Sequence, residues 1–343
     1  MKLEQSEKFF VSGLFNNSVK LKKAEECLVL DIIRLAGDAS TRRYYRVETT
    51  RKAYVVCLDN PIPKGKKSSF MEIHQVLLEN GIRIPQLYDF DPQHGYFLEE
   101  DWGDITLLQR LGQINSAEEE LSLYQQCVEH MISLHQIKAE RYPDSNFRHL
   151  AFDHTKLMQE VDFSLKFFCD HFLQAKLGPK EREVIRSALD NICQKLEHET
   201  RVFTHRDYHS RNIMARGSEM AIIDFQDAMM GIPQYDLVSL LDDCYYELNQ
   251  DNYQHLKNFY WENSLKNSGH QESFDEFNYL YDLMAIQRTL KAIGSFSYIV
   301  TLRNDQRYIK YIGYSFEKLK RLLIKYPKFN KARKVISGLY YAN

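Results

Sequence analysis

The sequence predicts an α+β chain in which a small β-rich N-terminal lobe precedes a large, mostly helical C-terminal lobe. Three observations predict it. Through the first hundred residues apolar side chains alternate with period two in short runs separated by turn-forming residues. After Glu100-Asp101-Trp102-Gly103-Asp104 the period changes to 3.6 and holds for most of the remaining chain. Between Val202 and Ile232 a polar loop bracketed by two short apolar runs interrupts the helical pattern. The division therefore falls between residues 1–101 and 102–343.

In the first lobe, Val29 to Leu35, Tyr44 to Val47 and Ala53 to Leu58 read as an antiparallel meander, with Gly37-Asp38-Ala39-Ser40 as its first turn. The lobe's one expected helix runs from about Ser68 to Asn80. It presents Phe70, Ile73, Val76 and Leu77 on one face and ends before Gly81. Leu87 to Phe90 and Tyr96 to Glu99 supply two further strands. In the second lobe, Ser116 with Glu119 forms a capping box, opening a helix whose stripe is Leu121, Tyr124, Val128, Ile132 and His135. Helices are expected at 154–175, 180–198, 234–248, 252–266, 274–297, 305–325 and 330–341. Val202-Phe203-Thr204 and Ala221 to Phe225 are expected to form a small hairpin among them.

Composition narrows the function classes. Lys and Arg total 45 against 47 Asp and Glu, a net charge of −2, so no overall basic field draws the chain to nucleic acid or an anionic membrane. No apolar run is long enough to span a bilayer, and the N-terminal residues lack a signal-peptide pattern, which predicts a cytoplasmic protein. The six cysteines contain no CxxC pair and read as reduced core thiols.

The chemistry is concentrated in His205-Arg206-Asp207-Tyr208-His209-Ser210-Arg211-Asn212, followed twelve residues later by Asp224 at the end of an apolar run. Phosphoryl transfer needs a carboxylate to orient and deprotonate the attacking hydroxyl, and oxygen ligands for the Mg²⁺ that accompanies a nucleoside triphosphate. Asp207 suits the first task, Asn212 and Asp224 the second, while His205 pins the loop. The order His, Asp, Asn and a later metal-binding Asp is that of the protein-kinase signature set.

With these residues the sequence resembles the aminoglycoside phosphotransferase-like small-molecule kinases, which share the bilobal protein-kinase-like fold. Within that group it is most similar to bacterial kinases that phosphorylate N-acetylmuramate and N-acetylglucosamine at the anomeric position in cell-wall sugar recycling. The narrower resemblance is carried by Gly37 to Val47, His205 to Asn212, Ile223 to Ala228, Gly231 to Leu241 and Gln287 to Phe296. It implies ATP and Mg²⁺ as cofactors, an N-acetylated amino sugar as the small-molecule partner, Asp207 as base, and Asn212 and Asp224 as metal ligands. It also implies that Asp236 braces the catalytic loop and that Asp227 lies on the acceptor side. A monomer or weak homodimer is expected.

The ATP end departs from the kinase pattern, because the first turn has a single glycine and the third strand lacks a lysine. The phosphate candidates are therefore Gly37, Ser40 and Thr41 on the turn and Arg43 or Arg46 on the second strand, where alternation puts Arg42, Tyr44 and Arg46 on one face and Arg43 and Tyr45 on the other. The connector, with Glu99 and Asp101, is the expected adenine rim. Gln287, Arg288 and Lys291 share one helix, with Gln287 and Lys291 four apart, and are candidates for meeting the acceptor's carboxylate, hydroxyls or amide. Two other readings stay open: a kinase for an aminoglycoside, choline or another sugar, and a nucleotide-binding regulatory pseudokinase.

Overall fold

A computed structural model describes residues 5–35, 42–175, 177–265 and 273–342. The chain forms two compact units, one of Met1–Ile105 with Met214–Gln226 and one of Thr106–Ile213 with Asp227–Asn343.

The first unit is built on a five-stranded antiparallel sheet of β1 (Val29–Arg34), β2 (Arg43–Thr49), β3 (Ala53–Leu58), β4 (Leu87–Asp91) and β5 (Tyr96–Glu100), in the order β1-β2-β3-β5-β4. Period-two alternation sends Tyr45 and Val47 of β2 and Tyr54 and Val56 of β3 into one core. Val11 and Phe15 of a helix, α1 (Gln5–Lys20), close that core. The sequence pattern gave no reason to expect α1, because it buries only Val11, Phe15 and Ser18 and carries Gly13, Asn16 and Asn17, so packing on the sheet rather than propensity holds it. The expected helix is α2 (Ser69–Glu79), capped by the Ser68 hydroxyl at the Met71 amide and left through Gly81 at φ +70°.

The segment 202–232 forms two separate ladders instead of one hairpin. β6 (Val202–Thr204) pairs with β9 (Met229–Gly231), and β7 (Ile213–Arg216) pairs with β8 (Glu219–Ile222). The two apolar runs seen in the sequence thus belong to different ladders, since Gly217 at φ +63° lets β7 turn back locally onto β8. The β7–β8 pair belongs to the first unit. Trp102 packs on Met214 and Ala221, Ala215 N–H donates to Ile105 O at 2.8 Å and Ile222 N–H to Arg83 O at 3.1 Å. Contacts therefore group 214–226 with the sheet, where sequence order had placed it after residue 102 with the helices.

The second unit holds α3 (Leu107–Leu111), α4 (Ala117–His135), α5 (His154–Leu165), α6 (Pro179–Glu197), α7 (Gln234–Leu241), α8 (Gln250–Tyr260), α9 (Phe274–Leu302), α10 (Ile309–Ile324) and α11 (Asn330–Ala342). The 29-residue α9 packs against α5, α7 and α10. At its crossing with α5, Gly294 approaches so closely that a Cβ there would lie 2.4 Å from Ser164 Cα, so only glycine fits. The expected helix over 234–248 stops at Leu241 because both following aspartates bind other groups: Asp242 accepts from the Tyr281 hydroxyl, and Asp243 from the amides of Ser210 and Tyr245.

Candidate active site

In the second unit the chain leaves β6 at Thr204 and enters the loop His205–Asn212 with Arg206 in the left-handed region at φ +81°. A non-glycine residue holds that conformation only if its surroundings over-determine it, and α7 does so. Asp236, in its first turn and fully buried, accepts the amides of His205 at 2.7 Å and Arg206 at 2.9 Å. Asp243, just past its end, accepts both the amide (3.0 Å) and the hydroxyl (2.5 Å) of Ser210. His135 of α4 bridges Asp236 and the Tyr260 hydroxyl. Inside the loop, Asn212 Nδ2 donates to Asp207 O at 3.0 Å and the His209 amide donates to the same oxygen. The loop is fixed while the Asp207 carboxylate stays 35% exposed, open to a reacting group.

Four basic side chains act on that carboxylate. Burial opposes ionisation of Asp207, but Lys291 foremost, then Arg288, Arg206 and His209, hold its carboxyl well below the usual carboxylate range. Such a group is a weak base that stays ionised, suited to accepting a hydrogen bond from a hydroxyl and taking its proton late.

The three acceptor candidates on α9 all reach this place, but they hydrogen-bond to protein groups there. Arg288 donates to Arg206 O at 2.8 Å and its guanidinium lies 4.4 Å from the Tyr235 ring centre. Gln287, 1% exposed, donates to Glu160 Oε2 at 3.0 Å. Lys291 Nζ meets the Tyr235 hydroxyl at 3.0 Å, Asp207 Oδ1 at 3.5 Å and Glu160 Oε1 at 3.7 Å. Asp227, the remaining acceptor-side candidate, is exposed and helps raise the Arg206 pKa. Glu160 on α5 was missed from sequence. The available signal was a carboxylate on an apolar stripe, between Leu157 and Ser164 and beside Val161.

In the first unit β2 turns Tyr45 and Val47 toward α1, leaving Arg42, Tyr44 and Arg46 on the opposite face. Arg46 does not offer a free charge for phosphate. It binds Asp101 through Nε at 2.5 Å and Nη2 at 3.0 Å, and Asp104 through Nη1 at 2.9 Å. Asp101, expected at the adenine rim, is committed to that pair and to the Gly103 amide. Arg43, on the other face, pairs with Glu7 of α1 at 2.9 Å. A second cation on the face of Arg46 is Arg42, which alternation places there although it is not among the phosphate candidates. Its Nε binds Asp59 at 2.7 Å, and its Nη1 lies 3.9 Å from Asp224 Oδ1. Glu99 belongs to the same face, where burial, opposed by Arg42, pushes its carboxyl up to about 7. Asp224 sits at φ +63°, accepts from Gln226 Nε2 at 2.9 Å and is 46% exposed. Gly37, Ser40 and Thr41 lie outside the described residues.

Taken separately, each metal candidate carries an oxygen of the kind a hard cation takes: Asp224, in the first unit, a carboxylate, and Asn212, in the second, an amide oxygen, its Nδ2 being bonded to Asp207 O. Among the described residues no cluster of three or more His, Cys, Asp or Glu side chains could hold a metal ion by itself. No helix among the described residues is long and apolar enough to cross a membrane.

The sequence pattern of the phosphotransferase enzyme family (APH) matches residues 31–267. The chain belongs to that family. Curated relatives of this phosphotransferase include the N-acetylmuramate/N-acetylglucosamine kinase of Neisseria meningitidis, 26% identical over 87% of this chain and 87% of the relative. A protein of the same name from Pseudomonas aeruginosa is 27% identical over 90% of this chain and 88% of the relative. Among solved structures, the gentamicin–APH(2'')-IIa complex superposes with a TM-score of 0.63 at 16% identity, covering 92% of this chain and 97% of that one. A choline/ethanolamine kinase family protein from Mesorhizobium loti gives 0.58 at 16% identity, covering 89% and 92%. The phosphotransferase thus has the protein-kinase-like fold, with an antiparallel sheet in its N-terminal region and a mostly helical C-terminal region.

Proposed function

We propose that this phosphotransferase moves the γ-phosphoryl group of ATP to the anomeric hydroxyl of an N-acetylated amino sugar, N-acetylmuramate or N-acetylglucosamine. The observation that carries the reading is the fixed loop around Asp207, in a chain whose relatives over most of its length are named for those two sugars. Asp207 accepts the hydroxyl proton, the sugar oxygen forms the new bond to phosphorus, and the bond to the bridging oxygen breaks as ADP leaves with that electron pair. An anomeric hydroxyl is more acidic than other sugar hydroxyls, so a weak base held in place is sufficient.

Asn212 and Asp224 are assigned to magnesium, which supplies screening of the phosphate charge. Arg42 takes the part that a strand lysine plays in other kinases. Its pairing with Asp59 holds the guanidinium on the face that also carries Asp224, and a guanidinium suits phosphate oxygens. Asp227 is assigned to the acceptor side. A cytoplasmic reaction is part of this reading, because its phosphoryl donor is ATP.

The test is ADP release by purified protein with ATP and magnesium, offered N-acetylmuramate, N-acetylglucosamine, their methyl glycosides, choline and an aminoglycoside. The reading expects turnover on the free sugars, a sugar 1-phosphate product and none on the methyl glycosides. Phosphorylation of a methyl glycoside would overturn the anomeric assignment, and turnover on choline or the aminoglycoside alone would overturn the sugar.

A further inference from the structure

An ammonium group has three donors and no acceptor. Lys291 Nζ faces three oxygens, the Tyr235 hydroxyl at 3.0 Å, Asp207 Oδ1 at 3.5 Å and Glu160 Oε1 at 3.7 Å, with its side chain only 17% exposed. It donates to the Tyr235 hydroxyl and stands at ion-pair distance from two carboxylates, on three different elements, which argues against a role in binding an acceptor carboxylate. Glu160 reaches both sides of the base. Oε1 faces Lys291 and, at 3.7 Å, Arg206 Nη2, the residue preceding Asp207, while Oε2 takes the Gln287 amide. Glu160 is 8% exposed, and a buried carboxylate is retained where cations and donors compensate its desolvation. The close approach at Gly294 and Ser164 brings α5 and α9 near enough for these contacts.

We propose that Lys291 and Glu160 are a buried positioning pair for Asp207: Lys291 holds the carboxylate in its reactive orientation, and Glu160 anchors Lys291 and Arg206 from behind. The inference rests on Asp207 being the base, and it replaces the acceptor role that sequence alone suggested for Lys291. The groups facing Lys291 are Asp207 from the loop, Glu160 from α5, Tyr235 from α7 and Arg288 from α9 itself. Burial disfavours its charge, but Asp207, Glu160 and Tyr235 outweigh burial and Arg288 and raise its pKa above the ordinary lysine value.

The experiment compares Lys291→Met, Lys291→Arg and Glu160→Gln with the parent by steady-state kinetics, on whichever hydroxyl acceptor the parent phosphorylates. Failure of the amino sugars alone would then overturn the substrate assignment without touching this one. Lys291→Met is expected to lower kcat by about 10²-fold, the cost of a misplaced catalytic group, with the KM for acceptor changed less than about threefold. Lys291→Arg, which keeps the charge, should restore roughly tenfold of that loss. Glu160→Gln should lower kcat less and move the alkaline limb of the rate profile to lower pH, because Lys291 loses one of its two carboxylates. A Lys291→Met enzyme with kcat intact and KM for acceptor raised tenfold or more would overturn the proposal. A readout independent of turnover is the ¹⁵N titration of the Lys291 ammonium, assigned by its absence in Lys291→Arg. Its midpoint should fall in both Glu160→Gln and Asp207→Asn, and an unmoved midpoint in both would equally overturn it.

Discussion

Gly294 of α9 rests against Ser164 of α5 with no room for a methyl group between them. The Ser164 hydroxyl donates to Glu160 O one turn earlier, so this contact lies directly beside the carboxylate that faces Lys291 and Arg206. Gly294→Ala forces the helices apart. The expected result is a loss of about 1–3 kcal/mol in stability, the usual cost of overpacking, measured by urea denaturation. A fall in kcat should accompany it at temperatures where the variant is still folded.

Asp207→Asn removes the proton acceptor while leaving its backbone contacts in place. Turnover should fall by about 10²–10⁴-fold, with circular dichroism and thermal midpoint close to the parent's. Near-normal turnover would take the base role away from Asp207.

Asp224→Ala removes the carboxylate assigned to magnesium. Magnesium titrations of ATP consumption should show a midpoint shifted to much higher metal concentration, with little residual rate at saturation. A midpoint matching the parent's would make Asp224 a structural partner of Arg42 and Gln226.

Arg42, just before β2, and Arg46 within it are predicted to behave differently. Arg42→Ala should raise the KM for ATP and lower kcat while leaving sugar KM unchanged, with a loss on the order of 1.5–3 kcal/mol for a charged hydrogen bond. Arg46→Ala instead breaks a pairing with Asp101 and Asp104 and should leave ATP kinetics within about threefold, appearing mainly as a lower thermal midpoint. Equal ATP defects in both variants would contradict the assignment.

Glu99 gives a pH signature. Its carboxyl is pushed up to about 7 in the folded protein, from an ordinary value of 4.5, by burial against Arg42's opposing charge. Between those values the folded state binds more protons than the unfolded chain, so this group's contribution to stability falls as pH rises from about 4.5 to 7. The parent's thermal midpoint measured relative to Glu99→Gln should therefore drop between pH 5 and pH 8, whereas a constant difference would place the Glu99 titration elsewhere.

By itself the sequence determined the order of strands and helices through most of the chain, because the alternation of Tyr45, Val47, Tyr54 and Val56, and the stripe on α4, are local consequences of backbone geometry. It also singled out Asp207, Asn212, Asp224 and Asp236 as candidates, since a motif of fixed spacing can be recognised in the sequence by its chemistry. Tertiary structure alone decided what depends on groups distant in sequence. Which face of β2 is covered follows from where α1 packs, and α1 shows no pattern in the sequence. β6 chose β9 over β8 through a register of three residues. Glu160 reaches Lys291 across 131 positions only because α5 and α9 meet at a glycine. Charge pairs of this kind are selected by proximity and desolvation, and neither is encoded in the spacing of residues along the chain.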